Sequence, residues 1–510
     1  MGKNASRQLQ ETVVETADGT LRGRKVGDLL TWRGIPYAAA PVGPLRFRAP
    51  APVIPWEGER DAGEFGDAPF QHRKFTRVGL RKFHPSSEDS LTLNVLARPG
   101  GGSRPVMVFI YGGAYTLGMS ATPLYSGTSL VEREDVVYVS INYRLGALGY
   151  LDFTQFSTAD RQFDSNLGLR DQVAALEWVQ RNIAAFGGDP ANVTLFGESA
   201  GAAAVVTLMS TPSARGLFAR AIAQSPPVGL VSTMEQSTRW AKDFIDKLDP
   251  DTVDPAASLA AATPSQLAKA GNRLGGKVIR ETPGLFPYSP VVDGDFLPQS
   301  PLEAFADGNA HRIPLIIGSN RNEGTLFPKT LDALPTTRAR IEKMFSLTDP
   351  EAGRRVTAAY EGYPQPSAAI QLGGDLLFWW PTTELTAAHS RYAPTYSYRF
   401  DFAPRLLRWM KFGATHAFDL FAVFGQADTA LGRLVTIAGG RRGLRAVSDS
   451  VARQWLSFAT TGSPLPSWPK YTDTDRATVI FDEVTSVDYD PQKQRRLAWS
   501  GYGGYQDQCL

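Results

Sequence analysis

The sequence predicts an α/β fold: a large, mostly parallel central sheet covered by helices on both faces. Two observations carry this expectation. Short β-branched runs alternate with helical stretches along most of the chain, the pattern that parallel strands joined by crossover helices produce. The 510 residues are 43% hydrophobic, without internal repeat, low-complexity tract or linker. One large core is therefore expected, in a single domain spanning 1–510 with helical insertions.

The elements follow in order. "VMVFIYGG" (106–113) and "DVVYVSINYR" (135–144) read as strands, rich in valine, isoleucine and tyrosine. "LRDQVAALEWVQRNIAAF" (169–186) reads as an amphipathic helix with Val173, Leu176, Val179 and Ile183 on one stripe. The turn "GGDP" ends it before the strand "NVTLF" (192–196). "RIPLIIGSN", "TYSYRFDF" and "ATVIFDE" supply further strands, and Pro250 to Arg280 reads as helical decoration.

Charge and cysteine content exclude several function classes. Fifty-three basic and 51 acidic residues leave a net charge of +2, so nothing global calls for nucleic acid or an acidic membrane surface. The local run "HRKFTRVGLRKFH" (72–84) reads as a solvated loop. A single cysteine, Cys509, points to a reducing compartment. The N-terminal stretch has no apolar h-region, and no run reaches the ~18 apolar residues of a membrane span, so a cytoplasmic location is expected. Gly2 and Ser6 fit a myristoylation pattern that recurs by chance. Nothing signals an oligomeric state.

The chemistry gathers around "NVTLFGESAGAAAVVTLM" (192–209), where a strand passes through two glycines into a helix. Gly197, Ser199 and Gly201 form G-x-S-x-G, the strained strand-to-helix turn that exposes a nucleophilic serine in α/β-hydrolases. A serine hydroxyl attacks only if an imidazole removes its proton, and that imidazole needs a carboxylate to orient it. In this fold the chain order is serine, acid, histidine. Of five histidines, His72 and His84 precede the serine. His311 stands at the mouth of a strand, and His389 lies in a helical stretch that suits a structural role. His416, in the glycine-flanked loop "FGATHAFDLFAVFG", is the base of choice. For the acid, Glu323 lies in a Gly/Asn-rich loop just after an apolar strand, where open α/β sheets build sites. Asp293 and Asp295 compete, although "VVDGDF" fits a tight turn. "FIYGGAYTLG" offers backbone donors for an oxyanion directly after a strand, at Gly112, Gly113 and Ala114, and Ala200 follows the nucleophile.

These stretches, with "RGIPYAAAPVGPLRF", "SEDSLTLNV" and "WLSFATTGSPLPSWPKYT", resemble the type-B carboxylesterase/cholinesterase family over nearly the whole chain. The resemblance implies a serine esterase with the triad Ser199, Glu323 and His416, oxyanion donors Gly113, Ala114 and Ala200, a small-molecule ester as substrate, and no cofactor or metal. Ser90 stands where the family often has a cysteine, and the resemblance pairs Arg46 with Glu88 beside it. Tyr111 stands where many carboxylesterases have histidine, and Ser225 is placed near the triad. Among pocket residues, Tyr115 is expected to wall the cleft, and at least one of Phe378, Trp379 and Trp380 to line it, Phe378 foremost. In place of the aromatic that grips choline esters the chain has a basic stretch, which should disfavour a quaternary ammonium substrate. Two rival readings share this sequence: an amidase or carbamate hydrolase with the same triad, and a non-catalytic binding protein on the same fold.

Overall fold

The computed structural model describes residues 12–79, 81–330 and 333–505. Gly2, Ser6, Cys509 and Leu80 of the basic run lie outside the described residues.

Eleven strands form the central sheet. In chain order they are β1 (Arg24–Val26), β2 (Leu29–Pro36), β3 (Thr92–Ala97), β4 (Arg104–Ile110), β5 (Val137–Ile141) and β6 (Gly188–Glu198). There follow β7 (Arg220–Gln224), β8 (Leu315–Asn320), β9 (Thr395–Phe400), β10 (Ala477–Phe481) and β11 (Ser486–Tyr489). Across the sheet the order is β11-β10-β9-β8-β7-β6-β4-β5-β3-β2-β1. From β10 to β5 every neighbouring pair is parallel. Antiparallel strands close both edges. The parallel centre follows from composition: β5 and β8 are buried at every residue, so they need cover on both faces. The edge strand β11 is exposed throughout.

The predicted amphipathic helix is α1 (Leu167–Asn182), continued by a 3-10 turn to Phe186 and stopped by Gly187 in the left-handed conformation. Its stripe Val173, Leu176, Val179 and Ile183 is buried. The helix after the serine, α2 (Ala200–Met209), is buried at all ten residues and packs on β6 and β7. Its run of alanines lets a helix sit that close to a sheet.

Insertions stand above the strand ends. The stretch Pro250 to Arg280 contributes α3 (Pro255–Ala261) and most of α4 (Pro264–Glu281), and Thr263 and Gln266 cap α4 with a reciprocal capping box. Further on, α5 (Pro366–Gly374) runs through a π-helical turn, Asp375–Trp379, into α6 (Trp380–His389). Such turns are rare and often re-aim a functional side chain. Among the described residues, no helix is long and apolar enough to cross a membrane.

Candidate active site

Strand β6 ends at Glu198, and α2 begins at Ala200. Between them Ser199 is held at φ 56° and ψ −127°. This conformation is costly for a residue with a Cβ and is sustained by its surroundings. Its N–H donates to the carbonyl of Gln224 at 2.9 Å. Gly201 allows the close approach, because a Cβ there would lie 2.1 Å from the carbonyl oxygen of Ile110. The corner thus lifts the Ser199 hydroxyl above the end of the parallel sheet.

Glu323 opens the turn after β8 and is buried. One carboxylate oxygen accepts from the backbone N–H of Asn320 and the hydroxyl of Ser225, both at 2.6 Å. The other accepts from His416 Nδ1 at 2.6 Å. A proton committed to Nδ1 leaves the Nε2 lone pair free, and Nε2 faces Ser199 Oγ at 2.8 Å. The acid and base loops are tied together. Asn322 N–H donates to Ala414 O at 2.9 Å, and Ala414 N–H donates to Asn322 Oδ1 at 3.2 Å. Glu323, His416 and Ser199, far apart in sequence, therefore form one hydrogen-bonded line.

The loop after β4 completes the site. Gly113 has φ 121°, and a Cβ there would lie 2.1 Å from Leu117 O, so the turn demands glycine. Ala114 follows at φ 51°. Among the described residues, the amides of Gly113, Ala114 and Ala200 donate to no backbone acceptor in the loops and turns. Behind this loop Tyr111 stacks on Tyr143 at 4.6 Å, and the Tyr143 hydroxyl donates to Tyr111 O at 2.6 Å.

Two carboxyl groups join the site that sequence reasoning had not singled out. Glu198 Oε1 lies 3.2 Å from His416 Nε2. Burial raises the pKa of Glu198, against the attraction of His416. At His416 burial opposes charge, but Glu198 and Glu323 outweigh it and hold the imidazolium above its ordinary range. Asp419, three residues beyond the histidine, is raised by burial while accepting from Gln224 Nε2 at 2.8 Å and the Tyr398 hydroxyl at 3.0 Å. The available signals were an acid at the end of a buried strand and an acid inside an aromatic run.

A small pocket of about 50 Å³ opens at Ser199, lined by Ala114, Ala200, Leu230, Phe286 and Phe378 among others, with no charged side chain among the described residues. Phe378, carried on the π-helical turn, sets its ring 4.3 Å from the His416 ring at a tilt of 32°. Trp380 belongs to a separate core, stacked on Trp499. Tyr115 departs from expectation. At φ 55° its side chain turns into the interior, fully buried and stacked on Tyr150 at 4.1 Å, away from this pocket.

The remaining candidates have structural settings. His311 Nε2 bonds to Thr211 O and His389 Nε2 to Ile313 O, and burial lowers each pKa to about 4. Asp293 accepts from Ser165 Oγ at 2.6 Å and from two amides of its own turn. Arg46 does meet Glu88, at 2.7 Å through Nε, and Nη1 also donates to Ala260 O and Ala262 O.

An elbow serine and a histidine oriented by a buried carboxylate, at the end of a parallel sheet, define a serine hydrolase on the α/β-hydrolase fold. The comparisons narrow this class. The family described as "Carboxylesterase family" matches residues 10–499, and the chain belongs to it. The chain is 37% identical to the para-nitrobenzyl esterase of Bacillus subtilis over 96% of its own length and 98% of the relative's. It is 33% identical to the phenmedipham hydrolase of Pseudarthrobacter oxydans over 94% and 97%. Solved structures agree. A PNB esterase superposes with TM-score 0.86 at 35% identity, covering 96% of this chain and 99% of that one. A carboxylesterase of Geobacillus stearothermophilus superposes with TM-score 0.83 at 36% identity, covering 96% and 100%. The protein is a carboxylic ester hydrolase of the serine type.

Proposed function

We propose that Ser199 is the nucleophile, His416 the general base and acid, and Glu323 the group that orients it. The carrying observation is the unbroken line from Glu323 to His416 to Ser199, at 2.6 and 2.8 Å. Ser199 Oγ attacks the ester carbonyl as His416 Nε2 takes its proton. The developing oxyanion is received by the amides of Gly113, Ala114 and Ala200. His416 then protonates the departing alcohol, and water attacks the acyl-serine by the same route in reverse. Ser225 and the Asn320 amide donate to Glu323 and hold it facing His416.

Phe378 walls the apolar side of the pocket in this reading, and the assembled line argues against a purely binding role. A para-nitrobenzyl ester, named in one relative, is the natural first probe. Hydrolysis of it, loss of that activity in Ser199→Ala, and stoichiometric labelling of Ser199 by an organophosphate are the expected results. Turnover by Ser199→Ala near that of the intact enzyme would refute the assignment.

The composition and the absence of a membrane-crossing helix among the described residues also support a cytoplasmic enzyme that binds small esters and no nucleic acid. Fractionation of native cells tests the location, and a mobility-shift assay tests the lack of nucleic-acid binding. A single α/β-hydrolase domain over 1–510 should unfold in one cooperative calorimetric transition.

A further inference from the structure

Beside the catalytic pocket lies a much larger groove of about 1000 Å³, and the two share Phe286. One wall is the basic stretch, as a 3-10 turn (Arg73–Thr76) and a short hairpin. The facing wall is α4, which turns Ala268, Gly271 and Gly275 toward the groove at helical spacing. A Cβ on Gly275 would meet nothing within 4 Å, so small residues hold this wall back. Thr116 and Leu117, just past the oxyanion loop, line the inner end.

The lining has one sign of charge. Its charged side chains are Arg73, Lys74 and Lys269, with neither aspartate nor glutamate among the described residues. Arg73 rests over the Phe83 ring at 4.8 Å and Lys74 over Phe75 at 4.6 Å, which steadies both side chains. Neither they nor Lys269 pair with a carboxylate among the described residues. Glu88, on the same stretch of chain, is already matched by Arg46.

We propose that this groove recognises a carboxylate on the substrate, so that the enzyme prefers esters carrying an anionic group on the part that leaves the apolar pocket. The proposal rests on the esterase reading given above. Cations gathered in a concave wall focus their field along the groove, which raises both the encounter rate and the affinity of an anion.

The test uses the full chain and two matched ester pairs. One pair carries a terminal carboxylate or its neutral primary amide on the acyl side, the other on the alcohol side. At low salt, kcat/KM should favour the carboxylate in at least one pair by about tenfold, and the preference should shrink as ionic strength rises. In the triple variant Arg73→Gln/Lys74→Gln/Lys269→Gln the ratio should fall toward one. Hydrolysis of both esters without preference, or a preference that survives the triple variant, overturns the proposal and leaves the esterase reading standing. Binding of the non-hydrolysable ether analogue of each carboxylate ester, by calorimetry, reads the groove without turnover. It should weaken about tenfold in the triple variant, and equal affinity overturns the proposal even if no ester is cleaved.

Discussion

The catalytic pocket and the basic groove share Phe286 yet are built on opposite terms. The pocket is tight and apolar, with its charged groups stacked behind the reacting atoms: Glu323, Glu198 and Asp419 are all nearly fully buried. The groove is wide, and its cations stand in solvent. Buried carboxylates act on a proton at close range in a poorly polarisable surrounding, where each is strong. Exposed cations act on an approaching molecule through water and salt, where each is weak and only the set matters. Chemistry belongs to the first region and selection to the second.

The largest expected effect separates the two directly. Ser199→Ala should lower kcat by at least about 10⁴-fold while substrate affinity stays measurable, checked by single-turnover kinetics and equilibrium binding. Glu198→Gln probes the charges behind the site. Two carboxylates raise His416, and catalysis needs its neutral form, so activity should rise with pH along an acid limb. Removing the Glu198 charge lowers the pKa of His416, so that limb should move to lower pH by about one unit, read from kcat/KM profiles. A limb that does not move would mean that Glu198 puts no charge on His416.

Phe378→Ala sharpens the apolar side. Truncating so buried an aromatic should cost about 3 kcal/mol in denaturant unfolding and move acyl preference toward longer chains. The smallest effect is expected at Gly275→Phe. A helix interior gains by losing glycine, and the new ring enters open space. Thermal stability should hold or rise, while kcat/KM for the bulkiest esters drops severalfold relative to the smallest, read from one substrate panel.

Where the sequence could be read, the signal was local. β5, β8 and α1 announce themselves by hydrophobic period, and the Ser199 elbow by glycines that a close backbone contact requires. His416 and Glu323 were reachable because chain order and loop context left few candidates. Tyr115 was not, since its direction depends on a positive φ that no neighbouring residue type betrays. Glu198 and Asp419 were overlooked because an acid beside a catalytic serine or histidine reads as an ordinary polar neighbour until the fold buries it. The strands β3, β2 and β1 at one side of the sheet pair antiparallel, outside the strand–helix alternation that revealed the centre.

Two side chains fix the width of the groove. Gln71 grips Gly118 twice, donating from Nε2 to its carbonyl at 2.6 Å and accepting from its N–H at 2.8 Å. Arg46 holds Glu88 on one side and the carbonyls at the end of α3 on the other. The basic wall is therefore pinned at its two roots, to the segment that carries the oxyanion amides and to the insertion that forms the opposite wall. Its spacing from the opposite wall is thus set by hydrogen bonds at its two ends rather than by its own cations. Amide hydrogens along this wall, at Gly118 and at the start of α4 should accordingly exchange with solvent as one unit, opening and closing together rather than residue by residue.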